Sequence, residues 1–143
     1  MRTHAVRLSP GSDLKAELQR LTDERALRAG CILTCVGSLS LARLRMPGAA
    51  GDAAVVKTLE EPLEILSLAG TLCPEGLHLH ISLARGDGGC IGGHLLEGCV
   101  VRTTAELVIG ELDQVEFRRP PDAATGYNEL SVRQRGSNDS PAR

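Results

Sequence analysis

The run Leu77-His78-Leu79-His80-Ile81-Ser82-Leu83 alternates apolar and polar residues at every step. In a β-strand successive side chains point to opposite faces, so the four apolar residues share one face. His78, His80 and Ser82 share the other. This period of two calls for a sheet with one packed face and one open face. It also holds two imidazoles on the open face, their Cα atoms about 6.5–7 Å apart, a spacing at which two nitrogens converge on one metal ion. A third imidazole, His94, follows the glycine-rich return Gly86-Asp87-Gly88-Gly89 and comes directly after Gly92-Gly93. It reads as a residue on a glycine-flanked loop that folds over the other two. The fourth histidine, His4, matches no motif and reads as a surface residue.

The rest of the chain supplies partners for that strand. Residues 4–8 form a short strand ended by Pro10-Gly11. Ser12 or Asp13 can cap a helix running to about residue 29, with Leu14, Leu18 and Leu21 at helical spacing and Gly30 as its stop. Residues 31–36 read as a buried strand broken at Gly37, and residues 39–46 as a second extended segment leading into the small-residue turn at 47–51. Strands follow at 55–59 and, after Pro62, at 63–72. Residues 99–112 form a long strand with Cys99, Val101, Thr103, Ala105, Leu107 and Ile109 on one face and Arg102, Thr104 and Glu106 on the other. The stretch 122–132 can add a last edge strand. The expected architecture is α+β: one compact domain over residues 1–132, with a largely antiparallel sheet and one main helix. Residues 133–143 have nothing to bury and read as a disordered tail.

Composition narrows the function classes. A chain of 143 residues suits a single core, and with only Phe117 and Tyr127 as aromatics that core must be aliphatic. No apolar run approaches the 18 or so residues of a membrane span, and the first residues lack a signal-peptide pattern, so the expected location is the cytoplasm. The net charge of −2 gives no overall basic field for nucleic acid. The local pairs Arg43/Arg45 and Arg118/Arg119 read as solvated surface. Binders of single-stranded nucleic acid use aromatic stacking platforms, which are lacking here. Five cysteines with no CxxC spacing suggest neither a disulfide framework nor a cysteine-rich zinc site. Cys90 and Cys99, flanking His94, are the two that could serve as ligands or in redox chemistry.

Three neutral imidazoles are a suitable zinc donor set, with ligand nitrogens at about 2.0–2.1 Å and a fourth position left open. Glu106 and Glu64 are candidate proton acceptors or orienters of a ligand histidine. The alternative for both is an ordinary solvated or cross-strand-paired carboxylate. The glycine pairs could cradle a phosphate through backbone N–H groups, but no helix start or Gly-Lys-Ser/Thr follows them, and tight hairpin turns and a close backbone approach explain them better.

Several segments resemble the "plants and prokaryotes conserved" (PPC) domain. They are Leu63-Glu64-Ile65-Leu66-Ser67-Leu68-Ala69-Gly70, His78-Leu79-His80-Ile81-Ser82-Leu83, Gly92-Gly93-His94-Leu95 with Gly98, and Thr104-Ala105-Glu106. Shorter matches at Arg7-Leu8 with Gly11, Asp13 and Leu14, at Val36-Gly37-Ser38, and at Asp122 with residues 125–130 extend the resemblance over residues 5–132. It implies a homotrimer, with His78, His80 and His94 as a zinc site. In plants the domain is joined to AT-hooks that contact DNA, and stand-alone prokaryotic members are often labelled DNA-binding. An AT-hook needs Gly-Arg-Pro among basic residues. Here Arg118-Arg119-Pro120 lacks the glycine and Arg135-Gly136 lacks the proline.

Two readings of function follow. One is a metal-binding regulatory or scaffolding module, associated with DNA through a partner protein. The other is a zinc hydrolase or lyase. The first is favoured, because the resemblance carries no established reaction. Direct duplex-DNA binding would need a basic face assembled by the trimer.

Overall fold

The computed structural model describes residues 1–48 and 55–136. The elements are β1 (Arg2–Leu8), α1 (Leu14–Glu24), β2 (Gly30–Arg45), β3 (Val56–Leu59), β4 (Leu63–Cys73), β5 (Gly76–Ala84), β6 (Cys90–Leu95), β7 (Val100–Glu111), β8 (Val115–Arg118) and β9 (Ser131–Gln134). Seven strands form one antiparallel sheet in the order β1-β7-β2-β4-β5-β6, with β3 on the end of β2. The end of β2 also pairs with β6, through Leu44–Leu95 and Arg45–His94. This second pairing closes β2, β4, β5 and β6 into a ring around the core. The fold is the expected α+β domain with a largely antiparallel sheet and one helix. Among the described residues no helix is long and apolar enough to cross a membrane.

The core is aliphatic, as the shortage of aromatics requires. Leu14, Leu18, Leu39, Leu63, Leu79, Leu83, Leu107 and Ile109 are all buried in one cluster. The alternation of β5 holds, with Leu79, Ile81 and Leu83 buried and both histidines exposed. A small satellite cluster joins Ala29, Cys73 and Phe117.

Helix α1 starts as expected. Asp13 accepts hydrogen bonds from the backbone N–H groups of Lys15 and Ala16 at 3.0 and 3.1 Å, and its other oxygen takes the Gly98 N–H. One carboxylate thereby ties the helix to the turn that follows His94. The helix ends at Glu24 instead of reaching residue 29. After Leu21 no apolar residue falls at helical spacing, since Glu24 and Arg25 are exposed. The chain instead turns at Ala26, at φ 49°, and carries Leu27 and Ala29 into the interior.

Gly37 does not break a strand. The two extended segments expected on either side of it are one 16-residue strand, β2. Gly37 sits at φ 146°, and a Cβ there would lie 2.1 Å from the Thr104 carbonyl oxygen. The glycine lets β2 approach β7 closely, and the pairing passes through bulges on both sides of it.

The last strand also differs from expectation. β9 pairs with β8 in a separate two-stranded ribbon rather than at an edge of the main sheet, and it continues to Gln134. Of the expected tail, residues 137–143 lie outside the described residues, as do residues 49–51 of the expected turn.

Candidate metal centre

The three histidines come together. His78 and His80 project from the outer face of β5, two residues apart, and His94 is the direct cross-strand partner of His80 on β6. His94 therefore stands on a strand, not on a loop. The glycines before it serve the pairing: a Cβ at Gly92 would lie 2.8 Å from the Ile81 carbonyl, so a bare backbone lets β6 lie flat on β5. Directly paired side chains have Cβ atoms about 4.5–5.5 Å apart. The ring centroids follow suit, at 5.0 Å for His78–His80, 5.3 Å for His78–His94 and 5.5 Å for His80–His94.

The donor atoms match a metal. His78 Nε2 and His80 Nε2 lie 3.2 Å apart, and one nitrogen from each of the three rings falls within 4.8 Å of the others. Tetrahedral zinc with nitrogens at about 2.0–2.1 Å requires them about 3.3 Å apart. His94 Nδ1 is buried and has no hydrogen-bond partner among the described residues. Such an orphan costs about 1–3 kcal/mol unless something satisfies it. Burial, reinforced by the Arg45 guanidinium and the neighbouring imidazoles, pushes His94 down to about 4. Burial first, then His80 and Arg119, also pulls His78 below the usual histidine value. At neutral pH both rings are uncharged, the form that binds a metal. The residues present fit zinc: a borderline-soft ion takes three neutral imidazoles and keeps an open position.

The other residues singled out in the sequence stand elsewhere. Glu106 lies on β7 opposite Arg7 and Val36, and β2 and β4 separate it from β5. Glu64 is on β4, opposite Ala84, whereas the β4 partner of His80 is Ala69. Five residues of strand put it about 16 Å along the sheet. Neither carboxylate reaches the histidines. The Cys99 thiol is buried, bonded to the Arg43 backbone, and raised above its usual value chiefly by burial. Cys90 is exposed, four residues before His94 and about 13 Å away along β6. Among the described residues the three histidines are the one group with metal-binding geometry. His4, expected at the surface, is half-buried against Glu111 on the far side of the sheet, with Nε2 3.1 Å from its carboxylate.

Sequence reasoning missed the residues around the histidines. The basic pairs are not mere solvated surface. Arg45, the β2 partner of His94, carries its guanidinium 5.4 Å from the centre of the Tyr127 ring. Arg119 is 9% exposed, whereas its neighbour Arg118 lies outside and pairs with Glu75 and Glu116. The loop that delivers Tyr127 is closed by hydrogen bonds between the Asp122 and Tyr127 backbones and from the Gly126 N–H to the Asp122 carbonyl. A pocket of about 370 Å³ opens beside the histidines, with His78, His80, Thr71 and Arg119 among its walls and Leu130 at its rim. The available signal was the arginine next to Pro120, but nothing local indicates which member of an Arg-Arg pair turns inward.

The bifunctional protein GlmU of Synechococcus sp. (strain JA-2-3B'a(2-13)) is 48% identical over 132 residues, which is 92% of this chain and 20% of that protein. The chain thus spans about a fifth of the length of its GlmU relatives. A hypothetical protein from Salmonella cholerae-suis superposes with a TM-score of 0.87 at 42% identity, over 94% of each chain. A metal-containing protein from Archaeoglobus fulgidus superposes with a TM-score of 0.80 at 27% identity, over 92% of this chain and 94% of that one. The profile of the Plants and Prokaryotes Conserved (PCC) domain matches residues 1–113. With that match and the 42%-identical fold, the chain belongs to the Plants and Prokaryotes Conserved (PCC) domain family.

Proposed function

We propose that this protein is a zinc-binding PCC-domain module, with the metal held by His78, His80 and His94, that acts in the cytoplasm as a homotrimeric regulatory or scaffolding unit. The observation that carries the reading is the convergence of three imidazole nitrogens within 4.8 Å, one of the rings having a buried nitrogen with no partner among the described residues. The metal content named for the Archaeoglobus fulgidus relative supports it. Self-association is supported by the open face of the sheet, where Leu33, Val36 and Leu66 are about half exposed. Apolar residues exposed on a strand face suit a subunit contact. Association with DNA would run through a partner; the net charge of −2 and the lack of an AT-hook weigh against direct contact, which would need a basic face assembled by the trimer.

A second reading, a zinc hydrolase or lyase, gains support from the pocket beside the histidines and from Arg119 in its wall. Bound zinc would supply a Lewis acid and lower the pKa of a coordinated water. Glu106 and Glu64 stand too far off to serve such a centre, whereas the Glu129 carboxylate lies close enough to raise the pKa of His78.

The test is thermal unfolding of chelator-stripped protein with and without added zinc. A ligand that binds only the native state adds RT ln(1 + [L]/Kd), about 2.7 kcal/mol at a hundredfold excess over Kd. For a chain of this size the midpoint should rise by roughly 5–10 °C. An unchanged midpoint at millimolar zinc would remove the histidines as a metal site.

A further inference from the structure

We propose that the histidine centre receives a small organic carboxylate whose anionic end docks on Arg119. The inference rests on the metal reading above and adds a ligand class to it. Arg119 is nine-tenths buried, yet among the described residues no carboxylate lies within ion-pair distance of its guanidinium. Its Nη2 donates to Thr71 Oγ1 at 2.7 Å, its Nε to the Gly76 carbonyl at 3.4 Å, and its backbone N–H to Glu75 at 2.6 Å. Nη1 has no hydrogen-bond acceptor among the described residues. Nη1 keeps contact with solvent in the pocket, so a guanidinium otherwise packed in protein and without a counter-charge presents one free donor to an incoming anion.

The position of this arginine names the ligand. It shares a pocket of about 370 Å³ with His78 and His80, so an anion held by Arg119 there would lie beside the residues that would hold the metal. Arg45 adds a second positive charge next to His94, held under the Tyr127 ring. Glu129 is the opposing charge, and it too acts on His78. With Lys15, which also acts on His94, the balance is three positive charges against the Glu129 carboxylate. A planar guanidinium suits a planar carboxylate. The remaining walls are Ala69, Gly70 and Leu130, apolar surface that suits a short hydrocarbon portion rather than a fully hydrated phosphate. The volume stands at the small end of ligand pockets.

The test uses the full chain loaded with Co²⁺, whose visible absorption reports its coordination, and titrates it with butyrate, butyramide and inorganic phosphate. Butyrate should shift the cobalt bands saturably, butyramide should not, and phosphate should act only at far higher concentration. Arg119→Gln should weaken butyrate at least tenfold, the scale of a lost charge-assisted hydrogen bond, while its cobalt spectrum and mass by light scattering stay unchanged. Arg119→Lys should recover part of the loss. If Arg119→Gln fails to fold, Arg45→Gln takes its place and should weaken butyrate severalfold.

Cobalt binding without any butyrate response, or equal butyrate affinity in a folded Arg119→Gln variant, overturns the proposal. Tighter binding of phosphate overturns the carboxylate assignment. A change in oligomeric mass in Arg119→Gln would identify a second copy as the source of the counter-charge, and overturns it too. A wild-type protein that takes up no Co²⁺ overturns instead the metal reading beneath it, so the two failures are distinguishable.

Discussion

Replacement of His80 by alanine should abolish stoichiometric zinc binding and leave the fold intact. His80 is the hinge of the cluster, sharing β5 with His78 and directly facing His94 on β6. Removing it leaves two imidazoles on neighbouring strands with no third between them. Loss of partners that merely orient ligands costs 10–100-fold in metal affinity, so loss of a ligand should exceed about 100-fold in a competition titration with a chromophoric chelator. The side chain is exposed and packs no core, so the stability of the metal-free protein should stay within about 0.5 kcal/mol of wild type. Zinc affinity within a few-fold of wild type in the folded variant would take His80 out of the site.

Replacement of Gly70 by alanine should be the most destabilising single-methyl change near the site. Gly70 lies on β4 opposite Leu79, at φ 148°, and an added Cβ would stand 1.9 Å from the carbonyl oxygen of His78. No rotamer relieves a clash between a Cβ and a backbone atom. The strands must part or the backbone must leave its conformation, and either costs several kcal/mol. Urea unfolding should show a loss of about 4 kcal/mol or more. Because the displaced atom belongs to His78, zinc affinity should fall as well. Gly86→Ala is the control: a Cβ there meets nothing within 4 Å, and stability should change by less than about 0.5 kcal/mol. Equal stability of the two variants would mean that β4 and β5 have no need of the close approach.

These two residues show how much was legible in the chain. The period of two at residues 77–83 placed His78 and His80 on one face, because alternation is a local property that burial of Leu79, Ile81 and Leu83 enforces. The start of α1 was equally local, written in Asp13. Its end was not, because Leu27 and Ala29 are drawn into the core by tertiary packing and propensity does not record that pull. The close backbone approach expected at Gly92-Gly93 is present, but Gly37 was misjudged. A glycine can end a strand or allow a neighbour to approach it, and only the partner strand decides between them. His94 was placed in the right company but on the wrong element. Arg119 and Arg45 were unreadable, since the first depends on Thr71 of β4 and Gly76 of β5 and the second on the loop carrying Tyr127, all distant in sequence. Glu106 failed as a neighbour of the histidines for the converse reason: sharing a polar face with them says nothing about how many strands lie between.

The most direct measurement is elemental mass spectrometry of untagged, as-isolated protein, with light scattering on the same sample. Near one zinc per chain in a trimer, lost in His80→Ala, is the expected result. A metal-free protein that stays metal-free after zinc is added back and dialysed would contradict the central claim.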